Sequence, residues 1–393
     1  MPELKRISSR IAAIAESATL KVDAKAKSLQ AAGRPVISYA AGEPDFPTPG
    51  HIVEAALAAV TDPKNHRYTP AAGLPDLREA IVAKTKRDSG LEVPATQVVV
   101  TNGGKQAVYE SIVAVVDDGD EVVMFEPWFD IYGAGISLAR GVRVGVPLAG
   151  PRLRPDLDRL RSAITPRTRV LLLNSPHNPT GIVMTREELE GIAAIAIEHD
   201  LVVISDEAYE HLWFDGHPHI PISTLPGMFE RTVTVGSGGK SFSFTGWKVG
   251  WASGPAHLIS AVRVVRQHLS YVSGGPFQFA MAAGLRLPDS YFTDFRADLS
   301  DKRDLLSTGL AGLGFGVLES EGTYFLTTDV RPLGYADGLQ FCRDMPHRAG
   351  VVAIPHQALC DDPAIGAPYV RWAFCKRPSV LQEALERLER GLR

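Results

Sequence analysis

Residues 232–250, TVTVGSGGKSFSFTGWKVG, place a lysine just after a predicted strand and a run of glycines. The strand is Thr232–Val235, and Lys240 follows it among apolar residues. A lysine after glycines is more often a solvated surface charge. Partial desolvation by apolar neighbours, however, lowers the pKa of a lysine and lets it form a Schiff base. Ser237 and Lys248 flank Lys240 with a hydroxyl and a cation, which suit an anionic group.

Strand-like runs alternate with amphipathic helical segments from residue 97 to residue 235. The strands are nearly continuous apolar runs, which is typical of strands covered on both faces. This alternation predicts an α/β fold with a mainly parallel central sheet and helices on both faces. After Val249, long helical segments lead to short strands, which predicts a smaller α+β domain. Near the N-terminus, Ile11–Gly33 is predicted to be one helix, because Pro35 follows Gly33.

The composition excludes several classes of protein. The chain has 393 residues, 45% of them hydrophobic, and 41 basic against 45 acidic residues give a net charge of −4. These values exclude a disordered chain, and the weak charge gives no field that would attract nucleic acid or membrane. No apolar run reaches the length of a membrane span or a signal peptide, so we expect a cytoplasmic protein. The three cysteines are expected to be reduced and fit no metal pattern.

Two further motifs follow predicted strands. Thr101-Asn-Gly-Gly-Lys-Gln106 leads from a strand through glycines into a helix N-terminus, where backbone N–H groups can bind an anion. An ordinary turn between strand and helix explains this stretch equally well. Asn174-Ser-Pro-His-Asn-Pro-Thr-Gly181 is a loop stiffened by two prolines that holds the amide of Asn178, and a simple proline-rich turn is the alternative.

Asp206 ends another predicted strand, in Ile204-Ser-Asp-Glu-Ala-Tyr209. A carboxylate at this point either caps a helix or pairs with a buried charge. Ligands of open α/β sheets lie beyond the carboxyl ends of the strands. We therefore expect Asp206 and Tyr209 to lie near Lys240 and Asn178.

In this order, the motifs resemble those of the class I/II, fold-type I, pyridoxal-phosphate-dependent aminotransferases. The resemblance extends over nearly the whole chain. The motifs that carry it are Gly42-Glu-Pro-Asp45, Tyr68 before Pro70, Asn178-Pro-Thr-Gly181, Asp206-x-x-Tyr209, Ser237-x-x-Lys240, Gly246-Trp-Lys-Val-Gly250 and Arg371.

The resemblance implies catalytic roles for three residues. Lys240 resembles the lysine that holds pyridoxal 5′-phosphate as a Schiff base and then moves a proton at the substrate Cα. Asp206 resembles the partner of the pyridine nitrogen, whose protonated form makes the ring an electron sink. Tyr209 resembles, together with Asn178, the pair that hydrogen-bonds the phenolic oxygen of the ring.

The same resemblance implies a cradle for the cofactor. Gly103, Gly104, Ser237 and Lys248 resemble the residues that bind the phosphate, and Phe129 resembles the aromatic residue that stacks on the ring. Many relatives carry arginine at the position of Lys248, so lysine here keeps the charge but loses the planar fork. Phe129 likewise replaces the tryptophan that is usual in aspartate aminotransferases.

Substrate and partner contacts are also implied. Arg371 resembles the arginine that binds the substrate α-carboxylate in a bidentate manner, with help from Asn178 and the backbone at Gly42. Tyr68 resembles a tyrosine that reaches the phosphate of the partner subunit. The resemblance therefore implies a homodimer with a shared active site, and the loop 270–276 is expected to cross to the partner as well.

The substrate preference differs between parts of the chain. Residues up to about 126 resemble bacterial aspartate aminotransferases, in which the lysine at the position of Lys105 adjoins the cofactor and receives the distal carboxylate of the substrate. The remainder resembles N-succinyldiaminopimelate and kynurenine or methionine aminotransferases. We expect amino transfer from an L-amino acid with an acidic side chain to a 2-oxo acid such as 2-oxoglutarate. An N-succinyldiaminopimelate or an aromatic or methionine-type substrate is the alternative.

Two other functions stay open at this point: a pyridoxal-phosphate-dependent C–S lyase, and a non-catalytic regulatory module that responds to the cofactor. The expected domains are a large cofactor-binding domain, residues 50–280, and a small domain built from residues 1–49 and 281–393.

Overall fold

The computed structural model describes residues 7–393. Its strands are β1 Ile37–Ser38, β2 Val98–Thr101, β3 Glu121–Glu126, β4 Val142–Pro147, β5 Thr168–Asn174, β6 Val202–Asp206, β7 Thr232–Ser237, β8 Gly250–Ser253, β9 Gly316–Val317, β10 Phe325–Asp329, β11 Val351–Val352, β12 Ile354–Pro355 and β13 Tyr369–Ala373. Its helices are α1 Ser9–Ala13, α2 Ala18–Ala31, α3 Gly50–Thr61, α4 Pro75–Ser89, α5 Gly104–Val115, α6 Ile131–Leu138, α7 Leu157–Ala163, α8 Arg186–Glu198, α9 Gly238–Ser241, α10 Ala256–Leu269, α11 Gly275–Leu285, α12 Asp289–Gly312, α13 Gly338–Arg348 and α14 Pro378–Leu392.

The central sheet has seven strands in the order β2-β8-β7-β6-β5-β3-β4. All neighbouring pairs from β7 to β4 are parallel, and only β8 runs antiparallel to both of its neighbours. The prediction of a mainly parallel sheet is confirmed. Strand β8 was not predicted, because its glycine and serine residues do not form an apolar run.

Both faces of this sheet are buried. In β6, Val203 faces one apolar core and its neighbour Ile204 faces another, and both side chains are fully buried. The same division holds for Leu171 and Val170 in β5. Because successive side chains of a strand point to opposite faces, the two cores are the two helix-covered sides of the sheet. The predicted arrangement of helices on both faces is confirmed.

The remaining strands form two smaller sheets. Four of them form an antiparallel sheet in the order β12-β13-β10-β9. The other two, β1 and β11, pair in parallel, with Ile37 opposite Val351. Residues from both ends of the chain therefore meet in one structure. The domain boundaries at residues 50 and 280 remain a prediction.

The single helix predicted at Ile11–Gly33 is wrong in one respect. The structure has two helices here, α1 and α2, and Ser17 lies between them as the N-cap of α2. The Ser17 hydroxyl accepts a hydrogen bond from the backbone N–H of Leu20 at 3.2 Å. A serine that caps a new helix interrupts the preceding one, because its side chain replaces the backbone acceptor of the previous turn.

The structure can also be compared with the expectations about membrane spans, cysteines and metal ligands. No helix within residues 7–393 has the length and apolarity needed to cross a membrane. Cys342, Cys360 and Cys375 are free thiols. Over the same range, no group of three or more His, Cys, Asp or Glu side chains is arranged to hold a metal ion. The cytoplasmic location stays a prediction.

Candidate active site

One cavity of about 330 Å³ lies at the carboxyl ends of the parallel strands. It brings together every residue predicted for the site except Tyr68, although the individual roles of these residues remain predictions. The predicted residues that line it are Gly42, Gly103, Gly104, Lys105, Phe129, Asn178, Asp206, Tyr209, Ser237, Lys240, Lys248 and Arg371.

Lys240 lies in the short helix α9, directly after strand β7, with its Nζ facing the cavity. Nζ donates a hydrogen bond of 3.3 Å to the carbonyl oxygen of Gly42 and lies 5.8 Å from the ring centre of Tyr209. Burial, together with the nearby cations Lys248 and Arg371, lowers the pKa of Lys240 to about 8, although Cys375 and Asp206 oppose the shift. A neutral amine is therefore accessible near physiological pH, as a nucleophile requires.

Asp206 is the last residue of β6 and is buried. Its Oδ2 accepts a hydrogen bond of 2.7 Å from the hydroxyl of Tyr132, and its Oδ1 accepts one of 3.2 Å from the backbone N–H of Ala208. Burial raises the pKa of Asp206, whereas these two hydrogen bonds and the charge of Lys240 oppose the rise. The carboxylate is thus held in a fixed orientation, as a partner of a protonated ring nitrogen requires.

Asn174 connects Asp206 with the loop that carries Asn178. Asn174 lies opposite Asp206 in the pairing of β5 with β6, and its Nδ2 donates to the carbonyl oxygen of Asp206 at 2.8 Å. Its Oδ1 accepts a hydrogen bond of 2.8 Å from the backbone N–H of Asn178. The sequence motif that begins at Asn174 was recognised, but no role was predicted for this asparagine, which directly follows the predicted strand Val170–Leu173.

Arg371 is buried in β13 and reaches the cavity from the antiparallel sheet. Its Nη1 donates to Oδ1 of Asn178 at 2.8 Å, and its Nη2 donates to the carbonyl oxygen of Ala40 at 2.7 Å. Its Nε is buried and has no hydrogen-bond partner among the described residues. An unpaired buried donor costs about 1–3 kcal/mol, so an anionic ligand that accepts from it stabilises the site.

Glycines shape the cradle that is predicted for the phosphate. Gly103 has a φ of 83°, and a Cβ added to it would lie 3.2 Å from Nζ of Lys248. A Cβ on Gly250 would lie 2.5 Å from the backbone nitrogen of Gly104. Helix α5 begins at Gly104, and its N-cap, Gly103, supplies no side-chain acceptor for the first backbone N–H groups. Open backbone donors beside a lysine fit a phosphate group.

Lys105 and Phe129 lie side by side at the exposed edge of the cavity. Nζ of Lys105 lies 5.4 Å from the ring centre of Phe129, a cation–π distance. Burial lowers the pKa of Lys248, and the positive charge of Lys105 adds to this effect. Two lysines therefore give this side of the cavity a positive potential, which favours anionic ligands.

Tyr68 is the predicted site residue that does not line this cavity. Its side chain is 82% exposed and packs edge-on against Tyr271, with ring centres 5.5 Å apart. Tyr68 therefore does not contribute to this cavity.

The structure adds residues that sequence reasoning missed. Tyr132 binds Asp206, and the hydroxyl of Tyr324 donates to the carbonyl oxygen of Gly42 at 2.7 Å. Ser17 and Thr19 line the cavity from the N-terminal segment, and the Ser17 hydroxyl donates to the carboxylate of Asp130. Tyr132 lies three residues after Phe129, the residue predicted to stack on the ring. Side chains at this spacing can lie on the same side of a helical turn, so the spacing could have indicated that Tyr132 lies near the site.

Taken together, the residues present fit pyridoxal phosphate. The glycine cradle and Lys248 suit its phosphate, Phe129 suits its ring, and Asp206 suits its pyridine nitrogen. Lys240 supplies the amine.

Comparisons with known proteins agree with this geometry. A family model described as aminotransferase class I and II matches residues 34–388. The chain is 45% identical over 364 residues to the probable N-succinyldiaminopimelate aminotransferase DapC of Mycobacterium tuberculosis, covering 90% of this chain and 91% of the relative. It is 41% identical over 405 residues to the aspartate aminotransferase of Streptomyces avermitilis, covering 100% and 97%.

A solved structure extends the similarity to three dimensions. The N-succinyldiaminopimelate aminotransferase from Mycobacterium tuberculosis has a TM-score of 0.94 and 42% sequence identity, with 98% of this chain and 99% of that chain covered. Family model, relatives and structure all span most of the chain. The chain therefore belongs to the class I and II aminotransferases, enzymes that use pyridoxal phosphate to transfer amino groups between amino acids and 2-oxo acids.

Proposed function

We propose that this aminotransferase takes the amino group from a dicarboxylic L-amino acid, such as glutamate or aspartate, and transfers it to a 2-oxo acid such as 2-oxoglutarate. The observation that carries the proposal is Lys105, an exposed cation at the edge of the cavity that holds Lys240 and Arg371. Arg371 binds the α-carboxylate of such a substrate, and Lys105 accepts its second carboxylate.

Arg371 orients the substrate. Asn178 and Ala40 fix the plane of its guanidinium group through two hydrogen bonds. A fixed planar guanidinium binds a carboxylate with defined geometry, which points the substrate Cα toward Lys240.

Lys240 moves the proton at the substrate Cα. When bound, pyridoxal phosphate supplies the carbonyl that accepts the amino group and a ring that withdraws electrons from Cα. A lysine with a pKa of about 8 exchanges a proton in both directions near neutral pH, as a general acid and base must. Asp206, held by Tyr132, keeps the proton on the ring nitrogen.

The size of the cavity favours a compact substrate. Small-molecule sites occupy about 300–1,000 Å³, and this cavity of about 330 Å³ must accommodate the cofactor and the substrate together. Ser17 and Thr19 line it from the N-terminal side. Glutamate and aspartate fit this enclosure better than a long acylated amino acid does.

N-succinyldiaminopimelate is the second candidate substrate. The mycobacterial relative and the mycobacterial structure, both of which carry its name, favour it. This substrate also ends in carboxylates that Lys105 can receive. We expect its greater length to need more room beside Ser17 and Asp130, which both line the cavity.

We further propose that the enzyme is a homodimer with shared active sites, in which Tyr68 serves the site of the partner. Large apolar side chains are exposed on α3, on α10 and in the segments that follow these two helices, as the surface of a dimer interface would be. These side chains are Leu57, Val60, Tyr68, Val264, Leu269 and Tyr271. In this arrangement residues 50–280 form the cofactor domain, and the two chain ends form the small domain.

An amino-donor panel tests the substrate assignment. Wild type and Lys105→Ala are assayed with glutamate, aspartate, N-succinyldiaminopimelate, methionine and phenylalanine, each with the same saturating monocarboxylic 2-oxo acid, so that every donor gives a net reaction. Loss of one charge-assisted contact of about 1.5–2 kcal/mol predicts a kcat/KM about tenfold to thirtyfold lower for dicarboxylic donors. Methionine and phenylalanine should be nearly unaffected.

The controls are Lys105→Arg, which should retain most of the activity with dicarboxylic donors, and Lys86→Ala, an exposed lysine outside the cavity. A uniform loss with every donor would refute the assignment of Lys105. If wild type prefers N-succinyldiaminopimelate over glutamate and aspartate as donor, the second candidate replaces the first.

A further inference from the structure

A buried ion pair lies behind the cofactor cradle, outside the cavity. Glu110 of α5 and Arg266 of α10 are 0% and 1% exposed, and Oε1 of Glu110 lies 3.6 Å from Nη1 of Arg266. The second carboxylate oxygen of Glu110 is buried without a hydrogen-bond partner in the described part of the chain. Burial raises the pKa of Glu110 to about 7. The charged form of this residue therefore carries a desolvation cost.

Through Gln106, the pair is connected to the start of the cradle. Nε2 of Gln106 donates to Oε1 of Glu110 at 2.6 Å. Oε1 of Gln106 accepts a hydrogen bond of 2.9 Å from the backbone N–H of Asn102, the residue before Gly103. Glu110 is thus connected, through Gln106, to the turn at Asn102 and Gly103, whose backbone N–H groups are predicted to bind the phosphate.

On its other side, the pair is connected to the loop that carries Tyr271. Nη2 of Arg266 donates to the Ser273 hydroxyl at 2.6 Å, and Nη1 donates to the Ser270 hydroxyl at 3.1 Å. The Ser270 hydroxyl also accepts from Nε2 of Gln106 at 2.6 Å. Tyr271 adopts a positive φ of 62° between these two serines.

The same arginine reaches the segment of Tyr68. Nε of Arg266 donates to the carbonyl oxygen of Ala71 at 3.4 Å. Tyr68 packs against Tyr271, so both tyrosines stand on segments that Arg266 holds. One hydrogen-bonded network therefore extends from the cradle of a subunit to the two tyrosines exposed on its surface.

Stability alone is a poor explanation of this pair. Replacing a buried ion pair by apolar residues is often neutral or stabilising, because desolvation offsets the attraction between the charges. Here one carboxylate oxygen also lacks a partner within residues 7–393, which adds to the cost. Such an arrangement is better explained by the orientation that it imposes on the groups around it.

We propose that Glu110 and Arg266 are positioning residues that couple the cofactor cradle of one subunit to the tyrosine pair, Tyr68 and Tyr271, which that subunit presents to its partner. The proposal rests on the shared-site dimer proposed above. Within that dimer, the state of one cradle affects cofactor binding at the other through this network.

Hybrid dimers test the coupling. Two differently tagged chains are co-expressed, and one of them, the lending subunit, carries Lys240→Ala. Only the other chain, the reporter subunit, can then attach the cofactor covalently. The readout is the cofactor affinity of the reporter site, measured by titrating the cofactor-free hybrid and following the absorbance of the attached cofactor. Activity is not required for this readout.

The decisive variant is Glu110→Gln placed in the lending subunit only. Although the reporter subunit is then unaltered, we expect its cofactor affinity to fall about fivefold to tenfold. Ser270→Ala in the lending subunit, which removes the hydroxyl shared by Gln106 and Arg266 without changing a charge, should act in the same direction. It serves as the second variant if Glu110→Gln does not fold.

Matched controls separate coupling from general destabilisation. Glu121→Gln in the lending subunit removes another buried, ion-paired glutamate, whose partner is Arg167. We expect it to leave the reporter affinity unchanged, even where it lowers the melting temperature. Equal effects of Glu121→Gln and Glu110→Gln would overturn the proposal.

Tyr68→Phe in the lending subunit tests the shared site separately. If it lowers the reporter affinity while Glu110→Gln and Ser270→Ala do not, the coupling is overturned and the shared site stands. If none of the lending-subunit variants has an effect, or if the chains do not form dimers, the shared site and the coupling both fail.

Discussion

The hydroxyl of Tyr132 donates a hydrogen bond of 2.7 Å to Oδ2 of Asp206, and both side chains are buried. Tyr132 lies in α6, whereas Asp206 ends β6, so the contact joins two elements that are distant in sequence. Burial raises the pKa of Asp206, and Tyr132 is the hydrogen-bond donor that counteracts this rise most strongly. The charge on Asp206 therefore depends in part on Tyr132, which also lines the cavity.

Tyr132→Phe should weaken catalysis without unfolding the protein. Without this donor, the pKa of Asp206 rises further, and the carboxylate holds the proton of the ring nitrogen less well. A hydrogen bond to a charged group contributes about 1.5–3 kcal/mol, which corresponds to a fall in kcat of roughly tenfold to a hundredfold. The pH profile of kcat should shift its acidic limb upward.

Tyr39→Phe is the matched control, because the hydroxyl of Tyr39 is buried without a partner among the described residues. Its kcat and pH profile should equal those of wild type. Equal losses in the two variants would contradict the role of Tyr132.

Gly103→Ala should lower cofactor affinity. Gly103 has a φ of 83°, and the new methyl group would lie 3.2 Å from Nζ of Lys248, where the phosphate is predicted to bind. Gly90→Ala imposes a comparable backbone strain at a φ of 73°, but in open space. Fluorescence titration with pyridoxal phosphate should show a loss of at least tenfold for Gly103→Ala and none for Gly90→Ala. A similar affinity in both variants would refute the cradle.

Ser17→Ala should loosen the N-terminal cover of the cavity. Ser17 caps α2 and donates to Asp130, so the substitution removes about 0.5–2 kcal/mol of capping together with the contact across the cavity. We expect the KM for glutamate to rise about threefold to tenfold, with little change in kcat. Ser28→Ala, on the exposed face of the same helix, should change neither parameter. An unchanged KM in Ser17→Ala would show that this contact does not govern substrate retention.

Buried histidines should destabilise the fold in acid. Burial lowers the pKa of His177 to about 3, of His211 to about 4 and of His356 to about 3. The ordinary value of about 6.5 applies in the unfolded chain, which therefore binds more protons below that pH. Their contribution to stability is complete above pH 6.5 and is lost as pH falls toward the folded-state pKa, about 4 for His211 and about 3 for the other two histidines. Each histidine accounts for about 1.4 kcal/mol per pH unit in this window.

Urea unfolding at pH 7 and pH 5 measures this loss of stability in acid. The difference in the free energy of unfolding between the two pH values should shrink by about 2 kcal/mol in His356→Gln. The exposed His51→Gln should leave the difference as in wild type. An unchanged difference in His356→Gln would mean that this histidine accepts a proton in the folded state.

The sequence identified the strand-end residues well, for a physical reason. Asp206 ends a strand of the central sheet, and Asn178 and Lys240 follow two neighbouring strands that run parallel to it, so all three lie at the same edge of the sheet. Order along the chain was therefore enough to bring them together. Arg371 was placed by resemblance only, because it enters the cavity from a different sheet whose position no local pattern defines.

Other features depend on contacts that local patterns do not encode. In the sequence, Tyr132 does not differ from any other aromatic residue of a helix. Its role follows only from the hydrogen bond between its hydroxyl and Asp206. The break between α1 and α2 depends on one capping serine, which helical periodicity overlooks. The pairing of Glu110 with Arg266 joins two helices that the sequence separates by about 150 residues.

The parallel pairing of β1 with β11 has a consequence for how the protein is made. Ile37 leaves the ribosome long before Val351, its partner in the sheet. At synthesis rates of about 5–20 residues per second, roughly 15–60 seconds separate the two. The seven-stranded sheet, which ends at Ser253, can assemble during that interval. The two-stranded sheet of β1 and β11 forms only afterwards, so a nascent chain can complete its seven-stranded sheet before its N-terminal strand pairs with the C-terminal part of the chain.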